Sequence, residues 1–147
     1  MSSEDISMVC EVLLGISNPD KEIRTNSVNK LQELSNNLGA LAFCLIEIAS
    51  KTATNTREKT IQTTALVLCR KIVDSKSIDD WKKIPENIKE GIKKNSLNLL
   101  NTETDPNQNS KICDMIEAIM LKILDSEDDW PEIRNLAFSI TKFDPNG

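Results

Sequence analysis

The side chains that carry most enzyme chemistry are thinly represented in this chain. Its 147 residues include no His, which removes the usual general base, the commonest metal ligand and every Ser-His or Cys-His arrangement. Cys10, Cys44, Cys69 and Cys113 are widely spaced, form no C-x-x-C and each fall inside an apolar helical pattern. They read as small core residues rather than disulfides or metal ligands. Carboxylates gather at Asp79-Asp80 and at Glu127-Asp128-Asp129. Each cluster sits in a turn among charged neighbours, where negative charge solubilises a loop or favours a helix N-terminus. No Gly-rich phosphate loop is present. No catalytic residue, metal site or cofactor follows from these residues, so the expectation is a protein that works by binding rather than by catalysis.

The elements that would carry a binding surface are helices. Hydrophobic residues make up 39% of the chain but aromatics only 3%, so the core must be built from Ile, Leu, Val and Ala. With 4 Gly and 5 Pro there is little material for the frequent tight turns of an all-β fold. A net charge of −5 without a long Lys/Arg run argues against a phosphate-neutralising surface, hence against nucleic acid, and suits a basic partner. The opening MSSEDISMVCEVLLGIS lacks the features of a signal peptide, and no apolar run approaches the roughly 20 residues of a membrane span. An intracellular protein with no membrane insertion is expected.

Apolar residues recur at helical spacing, and the breaks fall at turn-forming clusters, which gives seven helices. The first covers about residues 4–16. Asn18-Pro19 reads as an N-cap with Pro at the first helical position, opening a second helix to about Asn36 with Ile23, Ser27, Leu31 and Leu34 buried. Leu38, Leu41, Ala42, Leu45, Ile46 and Ala49 mark the third. The fourth starts at Thr54-Asn55-Thr56 and buries Ile61, Ala65, Leu68 and Ile72. A longer connection around Trp81, expected to plug onto the core, leads past Pro85 to the fifth, with Ile88, Ile92 and Leu99. Asp105-Pro106-Asn107 separates it from the sixth, with Ile112, Ile116, Ile119, Met120 and Ile123, and Trp130-Pro131 opens the seventh.

Paired by their short links, the helices return at about 40 residues, the period of HEAT and armadillo repeats. The expected fold is therefore all-α, an α-α superhelix of the HEAT/armadillo solenoid type with about three and a half helix pairs. Repeat 1 would take in residues 4–36, repeat 2 residues 38–74, repeat 3 residues 85–124, and the first helix of repeat 4 residues 130–143. The odd seventh helix is expected to open a pair of a longer array. A compact bundle of six or seven helices satisfies the same periodicity.

Leu13-Leu14 followed by Asn18-Pro19-Asp20-Lys21-Glu22-Ile23-Arg24 and Leu31 resembles the opening repeat of the importin-β (karyopherin-β) family of nuclear transport receptors. Asp20 and Arg24 are typical of HEAT repeats, and Leu68-Cys69-Arg70-Lys71-Ile72-Val73 resembles the end of the family's second repeat. Trp81, Ile84-Pro85, Ile88, Ile92-Lys93, Glu103-Thr104, Lys111-Ile112-Cys113-Asp114 and Trp130-Pro131-Glu132 are similar in spacing to the beta-three importin subclass. The chain departs from the pattern where Gln62 and Asn109 replace an Arg, which is expected to weaken the polar ladder between repeats.

In a solenoid the inner helices keep one open ridge, opposite their buried stripes. Counting about 100° per residue, that ridge is Thr25, Asn29 and Gln32 on the first inner helix, Thr63, Val67 and Arg70 on the second, and Asp114, Glu117 and Leu121 on the third. Stacked, these nine make a strip of polar, charged and apolar groups suited to a protein partner. Taken singly, Arg70 pairs locally, Asp114 bonds within its repeat, or Leu121 meets a following helix more readily than any of them marks a partner site, so the reading rests on the strip as a whole. What the resemblance implies is a transport receptor whose inner helices grip the GTPase Ran in its GTP form. It also implies that protein cargo and FG-nucleoporins bind mainly through repeats beyond this segment, and that the protein shuttles between cytoplasm and nucleus through the nuclear pore. The competing reading is another HEAT or armadillo scaffold, such as a tubulin-binding or vesicle-adaptor module.

Overall fold

The computed structural model describes residues 3–133 and 135. Seven helices occupy them: α1 (Ser3–Ile16), α2 (Lys21–Leu34), α3 (Leu38–Ala49), α4 (Thr56–Ser75), α5 (Ile78–Lys82), α6 (Glu86–Thr102) and α7 (Pro106–Asp125), and there is no strand among the described residues. Residues 131–133 and 135 are helical again, at the start of the helix expected over 130–143, which otherwise lies outside the described residues.

Short polar side chains decide where the helices begin, by accepting the amide protons that a first turn leaves unbonded. Asn37 caps α3, Asn55 caps α4, and Asp105 caps α7 with Pro106 in the first turn. Ser77 and Asp80 cap α5 reciprocally. The sequence reading of Asn18 as the cap of α2 is corrected. Asp20 holds that position, its Oδ1 2.9 Å from Glu22 N and 3.4 Å from Ile23 N, while Asn18 accepts from the Asp20 amide. A carboxylate is the stronger acceptor for a positive helix end, so the helix starts two residues later and Pro19 stays in the turn. The end of α7 is a Schellman motif: Asp128 N bonds Ile123 O, Glu127 N bonds Leu124 O, and Glu127 takes a φ of 62°.

The packing follows from which faces are apolar. α3 is the central helix, with nine of its twelve residues buried, and packs on α1, α4, α5 and α6. α4 and α7 lie side by side, α6 pairs with α7, and α1 pairs with α2. Links as short as 17–20, 35–37 and 103–105 force each successive pair to run antiparallel. Trp81 is fully buried, and α5, which carries it, packs on α3 and α7. Trp130 is buried as well.

Burial departs from the expected stripes on α2, on α4 and at two cysteines, and Ile88 and Met120 are half-buried rather than buried. Ile23 is 44% exposed and α2 has no buried residue; its main contact is with α1 alone, so its apolar face has one neighbour to cover it. The two helices approach closely at Gly15, where an added Cβ would run into Ser27 Oγ. On α4 the buried positions are Gln62, Ala65, Leu66, Cys69, Ile72 and Val73, leaving Ile61 and Leu68 half-buried, because α4 packs against both α3 and α7 and its buried face turns between them. Cys44 and Cys69 are buried as expected, but Cys10 is half-buried and Cys113 is exposed.

Candidate protein-binding face

α4 and α7 bring six of the nine expected partner-binding residues onto adjacent helices. Thr63 and Val67 are half-buried, and Arg70 is half exposed with its Nε 3.8 Å from the Asp74 carboxylate one turn on. Asp114 is half-buried, whereas Glu117 and Leu121 are exposed. Thr25, Asn29 and Gln32 are exposed on α2, but that helix packs chiefly on α1, so these three do not join the α4–α7 face through a packed contact as close as that between α4 and α7.

Thr63 has a structural task. Its hydroxyl lies 2.7 Å from Gln108 Oε1 on α7 and 3.0 Å from the carbonyl of Lys59. One turn away, Lys59 Nζ meets Asp105 Oδ2 at 2.5 Å. That hydrogen bond is the main cause that raises the Lys59 pKa and lowers that of Asp105. These two rungs tie α4 to α7. The rungs run through Lys59, Thr63, Asp105 and Gln108, whereas Asn109, standing where an Arg was expected, leaves its buried Oδ1 without a partner. Gln62, standing where an Arg was expected, donates from its buried amide to the carbonyl of Lys51 at the end of α3. Arg24 does the equivalent in the first pair, its Nη1 3.1 Å from Asn18 O and 2.9 Å from Pro19 O.

The carboxylate clusters are tied into turns. Asp80 closes the capping box of α5, and the backbone hydrogen bond from Ser77, followed by the Ser77 side chain, holds its pKa low. In the 127–130 turn, Lys93 Nζ lies 3.5 Å from Asp128 Oδ2 and 3.0 Å from Asp129 O. No group of three or more His, Cys, Asp or Glu among the described residues is placed to hold a metal ion. Burial pushes the Cys69 thiol up to about 12 and, as the largest of several causes, the Cys44 thiol up to about 11.

Sequence reasoning missed the buried Lys89, Lys93 and Gln108, and the exposure of Cys113 and Leu124. Gln108 and Thr63 lie on separate helices, so only the stacking reveals that they meet. Leu124 lies beside the stripe expected for this helix, next to the buried Ile123, and is 54% exposed.

The helices define an α-α superhelix, a stack of antiparallel helix pairs. Among solved structures, the chain superposes on a chain of the complex in which Kap95p binding induces the switch loops of RanGDP to adopt the GTP-bound conformation, a structure bearing on nuclear import complex assembly. The TM-score is 0.72 at 23% identity, over 92% of this chain and 16% of that one, so this chain corresponds to about a sixth of its length. The likeness establishes the fold. No family model and no curated protein matches the sequence.

Proposed function

We propose that this chain is a Ran-GTP-binding segment of a nuclear transport receptor, acting as a protein-binding superhelix and not as an enzyme. The observation that carries the reading is the open α4–α7 face on a fold shared with a chain of a Kap95p–RanGDP complex. The resemblance of the Trp81, Ile84-Pro85 and Trp130-Pro131 segments to the beta-three importin subclass points the same way. Cargo and FG-nucleoporins would be carried by other repeats of the receptor, and the protein would shuttle between cytoplasm and nucleus through the pore.

The mechanism is linkage between two ligands of one deformable array. Each pair touches only its neighbours, so small rotations between pairs add up without breaking a core. If Ran-GTP and cargo favour different curvatures, binding of one weakens the other by the same factor in both directions. The test is retention of Ran on the immobilised 147-residue chain, with Ran loaded with a non-hydrolysable GTP analogue or with GDP. Retention of the GTP form over the GDP form is expected. Equal or absent retention by a chain whose circular dichroism is helical would remove the reading and leave a helical-repeat scaffold for another protein.

A further inference from the structure

We propose that Ser126 is a phosphorylation site for an acid-directed protein kinase, and that its phosphate loosens the joint between the third helix pair and the helix that opens at Pro131. That role holds whether or not Ran is the partner. Ser126 is followed by Glu127, Asp128 and Asp129, and residues 126–130 lie outside any helix. A basic substrate groove selects a hydroxyl trailed by carboxylates, and Glu127 and Asp129 are exposed to meet it. Ser126 itself is half-buried, its Oγ donating to Ile123 O at 2.9 Å in the last turn of α7, a bond that fraying of a helix end releases. Ser77 also has an acid three residues on, but its Oγ accepts the Asp80 amide and Asp80 Oδ2 accepts the Ser77 amide, so the capping box of α5 occupies both side chains.

The transfer balances with ATP as the phosphoryl donor. Ser126 Oγ bonds the γ-phosphorus as the bond to the departing ADP breaks, and the hydroxyl proton passes to the kinase's carboxylate base. The product carries a charge of about −1.5 to −2 where α7 ends. That end already presents partial negative charge and three carboxylates follow it, so the phosphate is repelled unless it finds a cation. Lys93 is the buried cation of this turn, with Asp128 Oδ2 at 3.5 Å and Asp129 O at 3.0 Å from its ammonium. A phosphate that draws the ammonium away undoes both contacts, and Trp130, buried directly after Asp129, loses the turn that seats it.

The full 147-residue chain is incubated with an acid-directed casein kinase and MgATP, and the product is mapped by mass spectrometry. Phosphate on Ser126 is expected, missing from Ser126→Ala and added about tenfold more slowly to Asp129→Asn. The phosphorylated chain should lose about 3 °C in Tm, and its tryptophan emission should move to longer wavelength as Trp130 meets water. In Lys93→Met, where the ammonium is already gone, the same phosphate should shift Tm by less than about half as much. Circular dichroism establishes that each variant folds. A folded chain that takes no phosphate, or takes it only on Ser77 or another hydroxyl, overturns the site. Phosphate on Ser126 with Tm and emission unchanged overturns the loosening of the joint. A full Tm shift kept in Lys93→Met assigns the phosphate to Lys122, one turn back on α7, and overturns the part given to Lys93.

Discussion

Lys93 is the residue whose replacement most directly probes the joint after the third helix pair. Its side chain is 9% exposed, and its ammonium reaches three acceptors: Asp129 O at 3.0 Å, Glu90 Oε1 at 3.4 Å and Asp128 Oδ2 at 3.5 Å. In Lys93→Met the apolar stem is kept, so packing changes little. Glu90 is 68% exposed and regains water, so losing that ion pair costs about 0–1 kcal/mol, whereas Asp128 Oδ2 is itself buried and is left without a partner. An acceptor left without a partner costs about 1–3 kcal/mol, and removing a buried ammonium returns part of that by ending its desolvation. The net expectation is a loss of about 1.5 kcal/mol. At roughly 2.1 cal/mol/K per residue, a chain of this length has an unfolding entropy near 0.3 kcal/mol/K, so Tm should fall by about 5 °C. Thermal unfolding followed by circular dichroism, alongside the emission of the adjacent Trp130, measures it, with Glu90→Gln as a near-neutral control. A Lys93→Met protein as stable as wild type, with Trp130 emission unchanged, would refute the claim that this ammonium holds the turn in place.

Four further outcomes follow from local geometry. Gly15→Ala should destabilise the α1–α2 pair by about 1–3 kcal/mol through overpacking against Ser27, and Ser27→Gly added to it should recover much of the loss in denaturant titrations. Asp105 has a folded pKa held low, chiefly by Lys59, so its contribution is present above the unfolded value of about 3.9 and is lost as pH falls through the folded value. Asp105→Asn should therefore lower Tm at pH 7, and the difference from wild type should shrink below about pH 4. Native thiol labelling followed by mass spectrometry should modify Cys113 first, Cys10 more slowly, and Cys44 and Cys69 only on unfolding. Hydrogen exchange should find the amides of α2 the fastest of the long helices and those of α3 among the slowest, since α2 buries no residue and α3 buries nine.

The helical architecture was legible because apolar spacing and caps are local signals. Asn37, Asn55 and Asp105 with Pro106 announce their helices within four residues, and Ile112, Ile116, Ile119 and Ile123 mark the buried side of α7 without reference to anything else. Where a cap is contested between neighbours, as at Asn18 and Asp20, the sequence offers two acceptors and the charged one wins. Buried stripes were less legible, because periodicity gives the period of a face and not its width or its partners. α2 and α4 carry comparable patterns, yet α4 is covered from two sides and α2 chiefly from one. That is why Gln62 is buried in α4 while Ile23 lies open in α2.

The same limit decides how much of the binding face could be read in advance. A ridge opposite a stripe is correct only to the extent that the stripe is, and on α7 the stripe was nearly complete, so Glu117 and Leu121 emerge exposed. On α4 the buried face turns towards α7, which carries Thr63 off the ridge and into a rung with Gln108. A long-range hydrogen bond of this kind leaves no mark in sequence, since both partners are ordinary polar residues on amphipathic helices. The buried lysines are hidden for a related reason: Lys89 and Lys93 read as solvated charge until the carbonyls of Lys82 and Asp129 are seen to meet them. Position along the chain thus separates the two kinds of polar residue poorly, and the end of a neighbouring element separates them well. In a stacked array, the polar groups that hold the joints and those left for a partner differ only in whether another repeat's backbone or side chain arrives.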